Sequence, residues 1–574
     1  MISPPRRWTV APRLSPERLT SIPGVHPLVV QILHNRGIRE ASEVESFLAG
    51  PDGWTGDPYT MKGVPEAVER LIRAIEAREL VAVHGDFDAD GLTATALLTE
   101  AFAALGARVV PFVPQREDGY GLNVKSLEAL ASRGVKLTVT VDCGISSPAE
   151  VAAAHEMGMD VVVTDHHRVT GALPGAVAVV DPRQPDCQYP FKALAGVGVA
   201  YKLAQALFAR QMAATGRSFG DLERSLLDLV ALGTVTDVVP LLGENRVLAI
   251  RGLAVLNQTT RPGLRELIRT SGLRPGEIDS WDISYALGPR LNAAGRLGDA
   301  SASYRLLVGS ADQAAELALA LEDANRERQQ VTEEMVARAR QEVLGQLPGA
   351  RLLLVAGPEY PHGILGLVAG RLSEEFARPV VVLGLDGEEA RGSARSIPEF
   401  DLTAALRECR DLLVRFGGHA RAAGFTVLRS KLEALRRRLV ELAEEALADR
   451  DLDPTLPVDA ELSLRKADLG LHREVQRLAP FGYENPAPLF LTRGLRVLEA
   501  RTVGQYPPGH LRLTVHDGSR RWGAIAFGYG ALASDLPPFV DLAYHLELDT
   551  WGGSSALRLR IRGLRPARGL VTGG

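Results

Sequence analysis

Between His84 and Asp90 the chain places an imidazole and three carboxylates within seven residues, HGDFDAD. Residues two apart on an extended segment share a face, so Asp86, Asp88 and Asp90 point the same way. Three like charges on one face repel strongly unless a cation neutralises them. The combination recurs with Asp142 in VTVDCG and with Asp165, His166 and His167 in VVVTDHH. It recurs again with Asp237 in GTVTDVVPL, behind the apolar run DLVALGTV. Each cluster is expected at the end of a hydrophobic strand. Carboxylates with imidazole suit Mn²⁺, Mg²⁺, Fe²⁺ or Zn²⁺. Ligands from several strands suit a pair of ions roughly 3.5–4 Å apart, one activating water and both stabilising charge on a phosphoryl group. A lone Asp after a strand more often caps a helix, and Asp90, before GLTATALL, fits that role as well. Four clusters together predict a metal centre. Asp86 and Asp165 are expected to serve it by orienting a ligand from behind. Cys143, beside Asp142, reads as a small buried apolar residue.

The elements that must position these residues follow from periodicity. PEAVERLIRAIEAREL, TATALLTEAFAALG, SLEALASRG and PAEVAAAHEMG read as helices, and VAVHG, ARVVPFVP, KLTVTVDCG and MDVVVTDHH as the strands between them. That alternation predicts a parallel sheet with helices on both faces, whose ligands gather at the carboxyl ends of the strands. The polar clusters sit at those ends. Residues 1–60 read as a small helical cap, with helices in HPLVVQILHNRGI and REASEVESFL, and 61–309 as the α/β catalytic domain. One long polar helix fills 310–345 as a connector. A second α/β domain is expected over 346–452, with strands at RLLLVAG and RPVVVLGL and helices at GILGLVAGRLSEEF and DLTAALRECRDLL. From 453 to 574, short strands between Gly and Pro turns predict a small β-barrel.

Bulk properties bound the reading. A chain of 574 residues, 46% hydrophobic and 24% charged, fits a soluble multidomain protein. No apolar run is long enough to span a bilayer, and no signal peptide is legible at the start. Three cysteines form no disulfide framework or zinc spacing, so a reducing cytoplasm is the expected location. The net charge of −5 argues mildly against nucleic acid as a partner. Residues 491–574, however, hold 11 Arg and no Lys against 6 acidic residues, an excess of five positive charges.

Several residues fit phosphate or base contacts. Arg116 lies in PQREDGYGL, Arg290, Asn292 and Arg296 in GPRLNAAGR, and Ser393 and Arg395 in GSARS. Arg grips phosphate bidentately, although most arginines form surface ion pairs. Arg290 and Arg395, between small residues in expected Gly-rich loops, favour the functional role. His419 is expected in a loop before a strand, in GGHARAAG, where glycines let backbone amides approach phosphate or simply pack tightly. Tyr120 can stack on a base or fill the core. On the barrel, Tyr506, Trp522 and Phe527, set among arginines, fit a single-strand platform.

HGDFDADGLTATALL, VDCGIS and TDHH resemble the successive motifs of the DHH phosphoesterase superfamily. PQREDGYGLN, GTVTDVVPL, GPRLNAAGRLGDA, GSARSIPEFDL, FGGHARAAGF and LAPFGYENPAPLF further resemble segments of the bacterial RecJ exonuclease family, in its order, from about 25 to 567. The resemblance implies a DHH catalytic domain, a long helix, a DHH-associated domain and a C-terminal OB-fold. It implies a monomeric 5′-to-3′ exonuclease that degrades single-stranded DNA with two Mn²⁺ or Mg²⁺ ions in repair and recombination, alongside a helicase and a single-strand-binding protein. It implies metal ligands at His84, Asp88, Asp90, Asp142, His166 and Asp237, with His167 facing the scissile phosphate. Arg116, Arg290, Ser393 and Arg395 are implied to line a pocket for the terminal phosphate. The text departs from the family at YPHGILG, which shifts His362 by one position, and at GYENP, over Gly482 to Pro486. Two other readings share the motifs: a phosphodiesterase of short oligonucleotides or cyclic dinucleotides, which typically lacks the barrel, and a replication scaffold that has lost its metal ligands.

Overall fold

A computed structural model describes residues 7–115, 121–169, 171–346, 349–504, 509–549 and 556–567. The chain divides into two compact units: Ala49–Glu334 with Pro480–Asn485, and Met1–Leu48 with Met335–Ala479 and Pro486–Gly574.

The first of these is built on five parallel strands, in the order β3-β2-β4-β5-β6: β2 (Leu80–His84), β3 (Arg108–Phe112), β4 (Val135–Thr140), β5 (Asp160–Thr164) and β6 (Ala178–Val180). Side chains alternate across the sheet. Val81, Val83, Leu137, Val139 and Val162 join the large core under the helices Val64–Glu76, Ala89–Ala104, Gly196–Thr215 and Leu227–Thr236. Ala82, Val161 and Val163 face the helices Val124–Ser132 and Pro148–Glu156. Burial on both faces explains why these strands read as continuous apolar runs. The register aligns His84 with Thr140, Thr140 with Val163, and Thr164 with Val180. The segments that leave β2, β4, β5 and β6 therefore start level, at one edge. The strand order reverses between β2 and β4, the crevice where open α/β sheets hold ligands.

One expectation fails in this unit. DLVALGTV is not a strand but part of the helix Leu227–Thr236, buried at almost every position. A short apolar run enclosed on all sides has no periodicity to separate strand from helix.

In the second unit, β1 (Arg7–Val10) pairs in parallel with β12 (Thr455–Val458), a contact across the chain that local pattern does not signal. The helices Pro27–Asn35 and Ala41–Leu48 form where the apolar spacing placed them. A five-stranded mixed sheet has the order β10-β11-β9-β8-β7, from β7 (Leu353–Gly357), β8 (Val380–Asp386), β9 (Glu389–Arg395), β10 (Leu413–His419) and β11 (Ala422–Leu428). Only β7 and β8 run parallel. Ser393 and Arg395 thus lie on strand β9 rather than in a loop, and His419 ends strand β10. Glycine and alanine depress strand propensity, yet pairing on both sides of β9 overrides it.

The polar run at 310–345 is the helix Ala311–Leu344. The C-terminal strands β13 (Ala460–Glu461), β14 (Phe490–Val503), β15 (His510–His516), β16 (Arg521–Ala526), β17 (Phe539–Asp549) and β18 (Ala556–Pro566) order as β13-β14-β15-β16-β18-β17. β14 also pairs with β17 and closes a five-stranded barrel. Among the described residues no helix is long and apolar enough to cross a membrane.

Candidate metal centre

The ends of β2, β4 and β5 deliver polar side chains to one place. His84 is the last residue of β2 and is buried, its ring stacked on Phe112 at 5.0 Å. Its Nε2 lies 3.2 Å from Ser126 Oγ, and that hydroxyl donates to the carbonyl of Asn123 at 2.8 Å. One hydroxyl hydrogen cannot serve both, so Nε2–H donates to Ser126 and Nδ1 keeps its lone pair. Nδ1 is buried and has no hydrogen-bond partner among the described residues. Burial holds this imidazole neutral, its pKa lowered to about 4.

Asp88, not Asp90, is the N-cap of Ala89–Ala104: its Oδ1 accepts from the amides of Asp90 at 3.0 Å and Gly91 at 3.1 Å. Asp90 lies in the first turn and reaches the next helix instead. Its carboxylate accepts from the amides of Gly196 at 2.6 Å and Val197 at 2.9 Å, at the N-terminus of Gly196–Thr215. That approach needs glycine. A Cβ on Gly196 would lie 2.7 Å from Asp142 Cβ, and one on Gly233 would lie 2.7 Å from Asp90 Oδ1. Asp142 itself has φ +60, a left-handed conformation that Asp tolerates better than most residues.

His166 and His167 follow β5. His166 Nε2 lies 3.0 Å from Asp142 Oδ1, 3.6 Å from Asp237 Oδ2 and 3.9 Å from Asp90 Oδ2. Asp165 sits behind them. Its Oδ1 accepts from the amides of His166 at 2.7 Å and His167 at 3.1 Å, and from His167 Nδ1 at 2.7 Å, while Oδ2 accepts from the amide of Ile145 at 2.9 Å. Asp165 therefore orients His167 through Nδ1 and leaves Nε2 for other work. Asp237 caps the C-terminus of Leu227–Thr236, and the next residue, Val238, is exposed with φ +61.

Three groups place their ligand atoms within 4.8 Å of one another: Asp142, His166 and His167; Asp90, His166 and Asp237; and Asp86, Asp88 and Asp142. Asp142 and His166 are each shared by two of them. His84 belongs to none, and neither does Asp165.

The electrostatics of this cluster favour a missing positive charge. Burial raises Asp90 to about 7, with the charge of Asp88 adding to it. Burial, reinforced by neighbouring carboxylates, pushes Asp142 and Asp237 well above the ordinary range. Burial also lowers His166 to about 3. Desolvation opposes the charge on His167, but the hydrogen bond and charge of Asp165 overcome it and raise its pKa. Ligands about 2.0–2.2 Å from a common ion sit roughly 3 Å apart, which is the His166–Asp142 separation. His84 Nδ1, His166 Nδ1 and Nε2, and Asp237 Oδ2 are buried without hydrogen-bond partners among the described residues. Lone pairs crowded together without hydrogens to accept fit divalent cations, so the residues present suit the implied metal.

One further carboxylate was not foreseen. Asp181, directly after β6, is buried with Oδ2 unpartnered, and burial raises it to about 7. Its place at a fifth strand end, in AVAVVDPR, was the available signal.

The cation candidates separate by surroundings. Arg290 lies in the helix Gly288–Leu297, not a loop, and pairs with Glu322 at 2.6 Å. In the same helix, Asn292 Oδ1 accepts from the amide of Ala89 at 2.8 Å and so braces the turn that carries Asp88; Arg296 lies one turn on. Arg395 is different. Its guanidinium donates to Ser393 Oγ at 3.2 Å and the Ala394 carbonyl at 2.9 Å, and no carboxylate pairs with it among the described residues. Burial lowers its pKa. Trp522 is 4% exposed and packs inside the barrel, so it is no platform, whereas Phe527 is 48% exposed beneath Arg560. Cys143 is buried, as its neighbours require. Arg116, Tyr120 and Tyr506 lie outside the described residues.

Comparison with known proteins agrees with this geometry. Models described as the DHH family N-terminal domain, the DHHA1 domain and the RecJ OB domain match residues 80–234, 349–447 and 458–563. The fold and the acidic centre thus define a DHH-type protein. Among curated proteins, the single-stranded-DNA-specific exonucleases RecJ of Bacillus subtilis and Escherichia coli are 37% and 36% identical. The matches cover 98% and 94% of this chain and 71% and 96% of those proteins. A crystal structure of RecJ in complex with Mn²⁺ from Thermus thermophilus superposes with a TM-score of 0.80 at 32% identity, over 98% of this chain and 80% of that one. A RecJ structure bound to manganese matches 68% of this chain and 98% of its own, at TM-score 0.58 and 35% identity. The chain belongs to the RecJ family.

Proposed function

We propose that this chain is a 5′-to-3′ exonuclease that hydrolyses the phosphodiester bonds of single-stranded DNA to 5′-mononucleotides, with two Mn²⁺ or Mg²⁺ ions. One observation carries the reading: carboxylates and imidazoles from separate segments converge, with His166 Nε2 3.0 Å from Asp142, 3.6 Å from Asp237 and 3.9 Å from Asp90, and burial with mutual repulsion raises the pKa of all three carboxyls. His84 through Nδ1, with Asp88, Asp90, Asp142, His166 and Asp237, is assigned to hold the ions. When bound, such ions supply a water of lowered pKa and offset charge on the phosphoryl oxygens.

The chain's own residues do the rest. Asp165 fixes the ring of His167 through Nδ1 and raises its pKa, which favours the imidazolium whose second N–H, on Nε2, is assigned to donate to the scissile phosphate. Asp86 lies in the acidic group with Asp88 and Asp142 and helps set the field there. Asn292 holds the Asp88 turn in place. Arg395, with Ser393, supplies a cation lacking a carboxylate partner and is assigned to substrate phosphate, as are Arg116, Arg290, Arg296 and His419. Tyr120 is assigned to a base.

The domain limits proposed for this work are 1–60, 61–309, 310–345, 346–452 and 453–574. An enzyme confined to single strands requires a helicase to open duplexes and meets the protein that coats unpaired strands. We place it in the cytoplasm, as a monomer. Hydrolysis of 5′-labelled single-stranded DNA with Mn²⁺ tests the proposal. Wild type should release mononucleotides and Asp142→Ala should not. Equal rates in the two would sink the metal assignment, and preference for dinucleotides over a long strand would favour the oligonucleotide phosphodiesterase instead.

A further inference from the structure

Trp281 and Tyr285 are large aromatic side chains left in water, 48% and 66% exposed, and they stack on each other with ring centroids 5.0 Å apart and planes 28° apart. Isolated exposed aromatics are ordinary, but a stacked pair held in solvent is not. The pair is mounted rigidly. Trp281 sits inside a capping box, in which the amide of Asp282 donates to Asp279 Oδ1 and the amide of Asp279 donates to Asp282 Oδ2, each at 3.0 Å. Both acids are thereby spent on backbone. Ser280 Oγ donates to the Phe481 carbonyl at 2.7 Å on the other side of the same turn. Tyr285 lies in a π-helical turn, Ile283–Leu287, a rare geometry that turns up disproportionately at functional sites.

This turn runs straight into Gly288–Leu297, and that helix lies along the acidic centre. A Cβ on Gly288 would lie 2.8 Å from Thr236, the residue before Asp237. Asn292 holds the amide of Ala89, and a Cβ on Gly295 would lie 2.8 Å from the carbonyl of Phe87. Tyr285 is three residues, about one helical turn or 5 Å, before Gly288. One continuous helical segment thus joins the stacked rings to the Asp237 and Asp88 walls of the metal centre.

We propose that Trp281 and Tyr285 form a base-stacking subsite for the single strand being degraded, holding an unpaired nucleobase a short way from the bond to be cut. The inference rests on the exonuclease reading and names part of its substrate site. Every nucleobase offers a π-face, so such a platform grips strands of any sequence and rejects a duplex, whose bases are already stacked on one another. It also explains why two aromatics are kept in water beside a cluster of negative charge. Stacking attracts the uncharged face of the strand where the phosphates alone would be repelled.

The test uses the full chain with Mn²⁺, a 5′-phosphorylated oligo(dT), and a matched oligonucleotide with a run of abasic residues. Stacking on one aromatic is worth about 1–3 kcal/mol per base, roughly a 5- to 150-fold change in affinity. The Trp281→Ala/Tyr285→Ala variant should raise KM for oligo(dT) by about tenfold or more with kcat within about twofold, the pattern of lost uniform binding. On the abasic substrate, wild type and variant should match. Tyr285→Phe should restore KM, and melting midpoints should coincide, since both side chains are solvent-facing. Unchanged KM for oligo(dT) in the double variant overturns the proposal. Anisotropy of labelled oligo(dT) with Ca²⁺ separates this from failure of the exonuclease reading. If wild type binds but does not cut, loss of binding in the variant still supports the subsite and equal binding overturns it. If wild type neither binds nor cuts, both readings fall.

Discussion

Two of the buried charge clusters in the parallel-sheet unit are opposites. Lys202, Glu244 and Tyr189 form one cluster in the core. Lys202 Nζ lies 2.6 Å from Glu244 Oε1 and donates to the Gly56 carbonyl at 2.9 Å. The Gly56 amide donates to Glu244 Oε1 at 3.1 Å, and Tyr189 donates to Oε2 at 2.6 Å. Charge is matched and both carboxylate oxygens of Glu244 accept hydrogen bonds, so the cluster needs no further ion. Around the strand ends Asp86, Asp88, Asp90, Asp142 and Asp237 crowd together with two imidazoles, and burial with mutual repulsion raises Asp90, Asp142 and Asp237. The helix Gly196–Thr215 serves both clusters, carrying Lys202 and offering its first amides to Asp90. What separates a structural from a functional buried charge is whether its neighbours already cancel it, not how deep it lies.

The largest effect that distinguishes the two clusters is on activity. Asp142→Asn should lower hydrolysis of single-stranded DNA by a factor on the order of 10³ or more, because the carboxylate shared by two of the acidic groups is gone. The same variant should melt higher than wild type in EDTA, since a buried charge repelled by its neighbours has been removed. A metal-free melting point that fell would mean that Asp142 is a structural group like Glu244.

The reciprocal change comes next. Glu244→Ala leaves Lys202 buried and uncompensated and should cost about 3–5 kcal/mol of stability, with the surviving folded fraction retaining its kcat. Urea unfolding together with active-site-normalised rates would check both halves. A Glu244 variant that folded normally but lost catalysis would erase the contrast.

A third effect concerns pH. Asp90 has its folded pKa raised to about 7, and Asp142 and Asp237 are also raised well above the ordinary range, against roughly 3.9 in an unfolded chain. A raised carboxyl binds its proton more tightly when folded. Its contribution to stability is complete below about pH 4 and is lost as pH climbs through 7. The metal-free protein should therefore melt progressively lower from pH 5 to 8. With Mn²⁺ that slope should shrink or reverse, because the ion displaces the protons. Melting curves with EDTA and with Mn²⁺ at five pH values suffice. A metal-free midpoint that rose from pH 5 to 8 would contradict the crowding of carboxylates.

The residues of the acidic centre were legible because strand ends of a parallel sheet are a place one can name from pattern alone. Asp142, His166 and Asp88 sit where alternation of helix and strand put them. Asp237 was found as a residue and misplaced as an element, since a helix buried on all sides looks like a strand in sequence. The capping role passed from Asp90 to Asp88, because Asp90 turned to the amides of Gly196 and Val197, more than 100 residues away. Contacts of that range leave no local signature. Ser393 and Arg395 were found in text dominated by small residues, which reads as a loop until neighbouring strands pair with it. Trp522 and Phe527 could not be told apart, because an aromatic between arginines looks the same inside a barrel as outside it, and only Phe527 is exposed. Trp281 and Tyr285 belong to no motif, and only solvent exposure and ring geometry single them out.

The smallest effect probes how the centre is held rather than what it holds. Val238 follows Asp237 with φ +61, where a β-branched side chain crowds its own backbone at a cost of roughly 1–2 kcal/mol. Its side chain is exposed, so packing does not explain the strain. Nothing comparable occurs around Glu244, whose neighbours in sequence include only Gly243 at positive φ. Asn tolerates this conformation, so Val238→Asn should stabilise the metal-free protein by about 1 kcal/mol, a rise of a few degrees at most. If the strained turn is what presses the Asp237 carboxylate toward His166, 3.6 Å away, relaxing it should weaken Mn²⁺ affinity a few-fold while the fold gains. Isothermal titration on the variant measures that trade directly. Gains in both stability and Mn²⁺ affinity would show that the strain belongs to the turn alone and that Asp237 is positioned by the helix it ends.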